Sequence, residues 1–331
     1  MSQNLNEITK TISTDLDKVN AIIDQECHSV NSSYLQELLR YTFRVRGKLL
    51  RPTLAISTSS ISGRSCSQEV LWIAAGLEVL HTASLVHDDI IDRGLLRRGQ
   101  ATIHMEYGIG EATLLGDWLL AKSFELMTRV GNPVISHEMT ILTSELTEGQ
   151  FLEMEASRGK YYDQSSYMRM IDLKTASIFR YACKFACLST PGLQSQALQM
   201  YEFGTNFGIM FQIIDDLIDL FQEDEEALKS TGRDLLNGLT TLPIFIALET
   251  EENCTEKPLK KALQNKDINY IQNELPRTLV HSGVYNKCVN VASEYGAKSL
   301  DYLPTEESGG RILKELVDFT LNQTKSVNLV T

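Results

Sequence analysis

The chain has 331 residues, 43% of them hydrophobic and 22% charged, and a net charge of −12. That length suits one large domain or two ordinary ones, and the apolar share is ample for a core. The acidic balance argues against nucleic acid or an anionic membrane surface as the main partner.

The opening segment, MSQNLNEITKTISTDLDK, is polar and acidic and does not read as a signal peptide. Ser33-x-x-Gln36 has the form of a capping box opening a helix through about Arg46, and Ser65-x-x-Gln68 opens another that runs to Asp88. Apolar residues then recur at spacings of three and four through 112–130, 134–156, 166–188, 194–221 and 241–249, which is the helical period. Loops are predicted at Arg93–Gly110, Ser157–Ser165, Gln222–Thr241 and Glu249–Pro258. The seven prolines fall at junctions, and no alternating strand or Gly-Asn hairpin signal stands out. No apolar run approaches the ~20 residues of a membrane span. None of the loops has linker composition, so 1–331 reads as a single all-α domain.

The six cysteines, at 27, 66, 183, 187, 254 and 288, form no C-x-x-C pair. That usage points to reduced thiols in a cytoplasmic protein. Cys183 and Cys187 share a helical face and read as small buried residues.

Chemistry concentrates in two segments with one pattern, Asp88-Asp89-Ile90-Ile91-Asp92 and Asp215-Asp216-Leu217-Ile218-Asp219. On a helix, residues i and i+4 stack on one face, so each segment projects an anionic claw from an apolar stripe. Burying like charges side by side costs several kcal/mol unless a cation neutralises them, and Mg²⁺ is the foremost oxygen-seeking candidate. Cations surround the claws: Lys48 and Arg51 upstream, then Arg97 and Arg98 in the RGLLRRG turn, Lys174 beside Thr175, and Lys229 after the second claw. His81 lies seven residues before Asp88, and Gln212 lies one turn before Asp215. Singly, each cation reads as a solvated surface charge. Together, carboxylates for metal and guanidinium groups for phosphate describe a diphosphate site.

The segments GKLLRP, LHTASLVHDDIIDRGLLRRG, LKTAS, FGIMFQIIDDLIDL and KSTGRDLLNGLTTLP resemble the five signature regions of the trans-polyprenyl diphosphate synthases, in the expected order. The resemblance implies a single large helical bundle around a central cavity, the isoprenoid synthase type I fold. Its signature-bearing core would span about 30–250, with C-terminal helices over 255–325. It implies a prenyltransferase, usually homodimeric, that condenses isopentenyl diphosphate head-to-tail with an allylic diphosphate such as farnesyl or geranylgeranyl diphosphate. Asp88, Asp92, Asp215 and Asp219 would hold about two or three Mg²⁺ ions, supported by Asp89 and Asp216. Arg97, Lys174, Thr175, Gln212 and Lys229 would hold the allylic diphosphate; Lys48, Arg51, His81 and Arg98 would hold isopentenyl diphosphate. His87 is assigned to the core or to support of the site. The absence of a membrane span leaves room for peripheral membrane contact during product release.

Product length is read from the helix before the first claw. One turn is about 5.4 Å, so Ser84 and Ala83, four and five residues before Asp88, should line the shaft beneath the diphosphate. Both are small where short-chain members carry an aromatic floor, so a product longer than farnesyl is expected unless Phe151 or Phe124 closes the shaft. One departure stands out: Leu239 follows Gly238 where the family commonly has lysine. Rival readings are a farnesyl- or geranylgeranyl-length synthase, a class I terpene cyclase, a silent partner subunit, a non-enzymatic metal-binding bundle, or the catalytic subunit of a heteromeric enzyme.

Overall fold

The computed structural model describes residues 2–158, 163–221, 232–252, 258–265, 267–304 and 308–326. The chain opens with α1 (Ser2–Ile8), α2 (Ser13–His28), α3 (Ser33–Phe43), α4 (Leu50–Ser60) and α5 (Gln68–Ile91). A short hairpin, β1 (Leu96–Arg97) and β2 (Gln100–Ala101), leads to α6 (Ile103–Glu106), α7 (Ile109–Arg129) and α8 (Pro133–Ser157). Then come α9 (Gln164–Ile171), a π-helical turn over Asp172–Ala176, α10 (Ser177–Ser189) and α11 (Ala197–Phe221). The remainder is α12 (Arg233–Leu236), α13 (Leu242–Glu252), α14 (Pro258–Asn265), α15 (Leu275–His281), α16 (Val284–Asp301) and α17 (Ser308–Asn322).

The all-α expectation holds, with three local corrections. The helix caps are Ser32 and Ser67, whose hydroxyls accept from the Leu35 and Val70 amides. The capping-box reading placed them at Ser33 and Ser65; Gln36 instead donates to the carbonyls of His28 and Val30. The Arg93–Gly110 loop contains the β1–β2 hairpin, closed by Arg98 at φ 51° and Gly99 at φ 76°. Two successive left-handed residues are what a tight hairpin turn demands, and Arg-Gly supplies them less obviously than Asn-Gly. The helix expected over 166–188 is broken at 172–176 by the π-helical turn, at Lys174 and Thr175.

Helix α5 is the spine. It is apolar on nearly every side, with Val70, Ile73, Ala74, Ala75 and Leu77 fully buried, and a helix of that kind belongs in a core. By length and composition it would also suffice to cross a membrane, contrary to the sequence expectation, but it packs inside the bundle against α7, α4, α10 and α2. Helix α11 packs on α10 and α16. Gly204 lets α11 touch α10, and Gly208 lets it touch the π-helical turn: a Cβ on them would come 2.5 Å from the Cα of Arg180 and of Ala176, respectively. Those contacts set α11, and with it the second claw, across the bundle from α5. Cys27, Cys183, Cys187 and Cys288 are buried free thiols, and burial pushes Cys183 up to about 12. They are core residues, as read from sequence for Cys183 and Cys187.

Candidate active site

Between α5, α7, α8 and α11 lies a cavity of about 590 Å³. Arg51, His81, Ala83, Ser84, Asp88, Arg97, Arg98, Lys174, Thr175, Gln212 and Asp215 all line it, as does His87. These residues come from sequence positions 51 to 215, so the fold alone brings them together. Lys48 is exposed and lies outside the lining, as do Asp92 and Asp219. Lys229 lies outside the described residues.

The aspartates of the first claw take different directions. Asp88 faces the cavity, and burial pushes its carboxyl up to about 6, partly offset by Lys174 with Nζ 4.0 Å away. Lys174 also pairs with Glu153 of α8, a partner absent from the sequence reading. Asp89 points to another face of α5, where it accepts a bidentate grip from Arg97: Nε at 2.9 and 2.8 Å, Nη2 at 2.7 Å. Such forked pairs fix geometry as well as charge. Asp92 is the C-cap of α5 rather than a residue within it, and its amide donates to the Asp88 carbonyl at 2.8 Å.

The second claw repeats this division. Asp215 faces the cavity, whereas Asp216 is 3% exposed and accepts from the Tyr167 hydroxyl at 2.5 Å and from Gln212 Nε2 at 2.8 Å. The Gln212 carbonyl in turn takes the Thr175 hydroxyl at 2.7 Å. The chain Thr175–Gln212–Asp216–Tyr167 ties the π-helical turn, α11 and α9 together. Tyr167 was not predicted; only its place at helical spacing before Lys174 hinted at it. Asp219 lies within α11, and its carbonyl accepts from the Gly232 amide at 2.9 Å.

The cationic wall comes from α4 and the hairpin. The Arg51 guanidinium lies 4.8 Å from the centre of the Phe179 ring, and burial lowers it to about 10. His81 is held well below its ordinary value by burial and by Arg51, Arg98 and Arg97, so its imidazole is neutral near pH 7. His87 packs on Gly116 of α7, where a Cβ would approach its Nε2 to 2.2 Å.

Among the described residues no three His, Cys, Asp or Glu side chains already converge as a cage. Magnesium does not require one: it keeps several waters and is held by one or two carboxylates plus substrate phosphates. Asp88 and Asp215, on two helices that line one cavity together with Arg51, Arg97, Arg98 and Lys174, fit that mode.

Comparison with known proteins agrees with this geometry. The sequence profile of the family described as polyprenyl synthetase matches residues 32–275. The chain belongs to that family. A geranylgeranyl diphosphate synthase of Sulfolobus acidocaldarius is 32% identical, over 88% of this chain and 91% of the relative. A decaprenyl-diphosphate synthase of Dictyostelium discoideum is 33% identical over 92% of this chain and 69% of the relative. A polyprenyl synthase from Caulobacter crescentus, solved with calcium and isoprenyl diphosphate, superposes with a TM-score of 0.86 at 25% identity, covering 96% and 97% of the two chains. As a polyprenyl synthetase this chain keeps its departure at Leu239, which is 7% exposed in the core and does not line the cavity.

The π-helical turn is where α8 approaches closest. A Cβ on Gly149 would meet the Lys174 amide nitrogen at 2.6 Å and its Cα at 2.8 Å. Gly149→Ala should therefore push Lys174 away from Asp88 and cost about 1–3 kcal/mol of stability through overpacking. Turnover should fall at least tenfold, and a thermal melt should show the lost stability; wild-type values for both would disprove the contact's role.

Proposed function

We propose that this protein condenses isopentenyl diphosphate head-to-tail with an allylic diphosphate in the presence of Mg²⁺, giving an all-trans polyprenyl diphosphate longer than farnesyl and releasing pyrophosphate. One observation carries the reading: a single cavity joins carboxylates on two facing helices, a cationic wall and an apolar shaft.

Asp88 and Asp215, with Asp92 one turn beyond Asp88 and Asp219 one turn beyond Asp215, would hold the metal. Bound there, Mg²⁺ would neutralise charge on the allylic diphosphate as it leaves. Lys174, Thr175, Gln212 and Arg97 hold that diphosphate in this scheme. Lys174 is set by Glu153 and Asp88, and Arg97 by Asp89, so these donors are aimed before the substrate arrives. Preorganised cations of this kind favour the state in which charge has moved onto the leaving group. Arg51, His81 and Arg98 hold isopentenyl diphosphate on the other side of the cavity. The allylic C–O bond breaks, the double bond of isopentenyl diphosphate supplies the electron pair for the new C–C bond, and a proton leaves to a pyrophosphate oxygen. No side-chain base is needed, and His81 serves as a neutral donor.

Two features support the longer product. Ala83 and Ser84 line the cavity and are small, and the two relatives named above are synthases of geranylgeranyl and decaprenyl products. The homodimer is proposed on surface grounds. Leu114 of α7 is 71% exposed and Phe151 of α8 is 62% exposed, and Phe151 also lines the cavity. A second copy covering this face would close the cavity wall where it reaches the surface.

Incubation with isopentenyl diphosphate, Mg²⁺ and each of dimethylallyl, geranyl, farnesyl and geranylgeranyl diphosphate should yield elongated products by mass analysis; no elongation with any primer overturns the proposal. Ala83→Phe should shorten the longest product by one or more isoprene units, and an unchanged distribution would refute the shaft. Leu114→Asp should turn a dimer into a monomer by light scattering, whereas a wild type already monomeric at assay concentrations would remove the second copy.

A further inference from the structure

Behind the cationic wall is a second, smaller cavity of about 50 Å³, and it shares Leu85, Arg97 and Arg98 with the large one. Helix α5 lines it with a separate face, Glu78, Thr82 and Asp89, at helical spacing from one another. The two arginines thus form a partition, with a diphosphate-sized space on one side and buried carboxylates on the other. Asp89 takes Arg97, as described. Glu78 is 6% exposed, and no described residue hydrogen-bonds its Oε2.

A buried carboxylate oxygen with no hydrogen bond from protein is costly unless nearby positive charge offsets it. The cations around Glu78 show the same shortfall. Arg51 Nε and Arg46 Nη1 are buried and unpartnered, although Arg46 pairs with Asp24 through its other nitrogen. Arg98 lies flat on Gly47, where a Cβ would come 2.6 Å from Nη2, and it donates to the Val45 carbonyl at 3.1 Å. The positive groups that face Glu78 are Arg51, Arg98 and Arg46, and burial raises its carboxyl against their pull. Of these, Arg46 and Arg98 line the small cavity with Glu78, and Arg51 lines the large one.

We propose that Glu78 is a positioning residue for the isopentenyl diphosphate subsite: from behind the partition it holds Arg51 and Arg98 converged on the cavity. The inference rests on the proposed function, which places the non-allylic diphosphate on these arginines. Glu78 touches no substrate in this scheme. Its charge keeps the arginines aimed, and the excess of cations over acids leaves the front face positive for the incoming anion. The sign of the effect is informative. Removing an acid from a cationic pocket should by simple Coulomb attraction tighten anion binding. A positioning role predicts weaker binding.

The test is Glu78→Gln, which keeps the shape and removes the charge, assayed with each substrate varied in turn. The KM for isopentenyl diphosphate should rise about tenfold, equivalent to about 1.4 kcal/mol, while the KM for the allylic substrate stays within twofold. Glu78→Asp should fall between, and in an Arg98→Gln background the Glu78→Gln change should add little, because the two residues act together. An unchanged or lowered KM for isopentenyl diphosphate, or equal rises for both substrates, overturns the role. If Glu78→Gln does not fold, the Glu78→Asp value decides by the same criterion. Wild-type protein that elongates no primer defeats the proposed function itself; wild type that elongates while the variants match it defeats only the assignment of Glu78.

Discussion

Charge in the middle of a helical bundle is tolerated only where an opposite charge or a hydrogen bond meets it, and the site is organised around that constraint. Each claw divides its aspartates between two duties. Asp88 and Asp215 face the cavity, whereas Asp89 and Asp216 turn away and are satisfied by protein, one by Arg97 and the other by Tyr167 and Gln212. Asp88 sits beside Lys174 and Arg97, Asp89 fixes that arginine, and Asp216 fixes the neutral pair Tyr167 and Gln212. The pattern D-D-x-x-D thus sets a cavity-facing carboxylate and a protein-bonded one in adjacent residues, about 100° apart around a helix.

Much of this was legible in the sequence because helical spacing converts position directly into facing. Ala83, Ser84 and His81 line the cavity where the turn count from Asp88 puts them. What stayed hidden depends on partners remote in sequence. Nothing near Lys174 announces Glu153, and nothing near Asp216 announces Tyr167; only the close contact of α8 with the π-helical turn and the packing of α9 create those pairs. The hairpin was missed because each strand has two residues, too few to show alternation. The caps slipped by one or two positions because serines lie side by side at 32 and 33 and recur at 65 and 67. Lys48 lies three residues before Arg51, and the chain enters α4 between them through a left-handed residue, Leu49, that leaves Lys48 exposed.

Backbone strain gathers in the same region. Among the described residues the non-glycine positions with positive φ are Leu49, Arg93 and Arg98. Each such conformation costs about 1–3 kcal/mol and persists only where its surroundings insist on it. Leu49 redirects the chain just before Arg51, and Arg93 and Arg98 bracket Arg97. The hydrogen bonds of Arg97 to Asp89 and of Arg98 to the Val45 carbonyl are what the surroundings offer in return. The cationic wall is therefore made by bent loops, and the carboxylate wall by straight helices.

That contrast has a consequence for how the molecule can change. Helix α5 serves both cavities, with Glu78 and Asp89 on one face and His81, Ser84 and Asp88 on another. It works as an indexed rod: one residue inserted between Glu78 and Asp88 would swing everything beyond it by about 100° and set the claw against the wrong neighbours. Insertions and deletions are closed to this stretch, so new product ranges must arise there through exchange of one side chain for another at constant length.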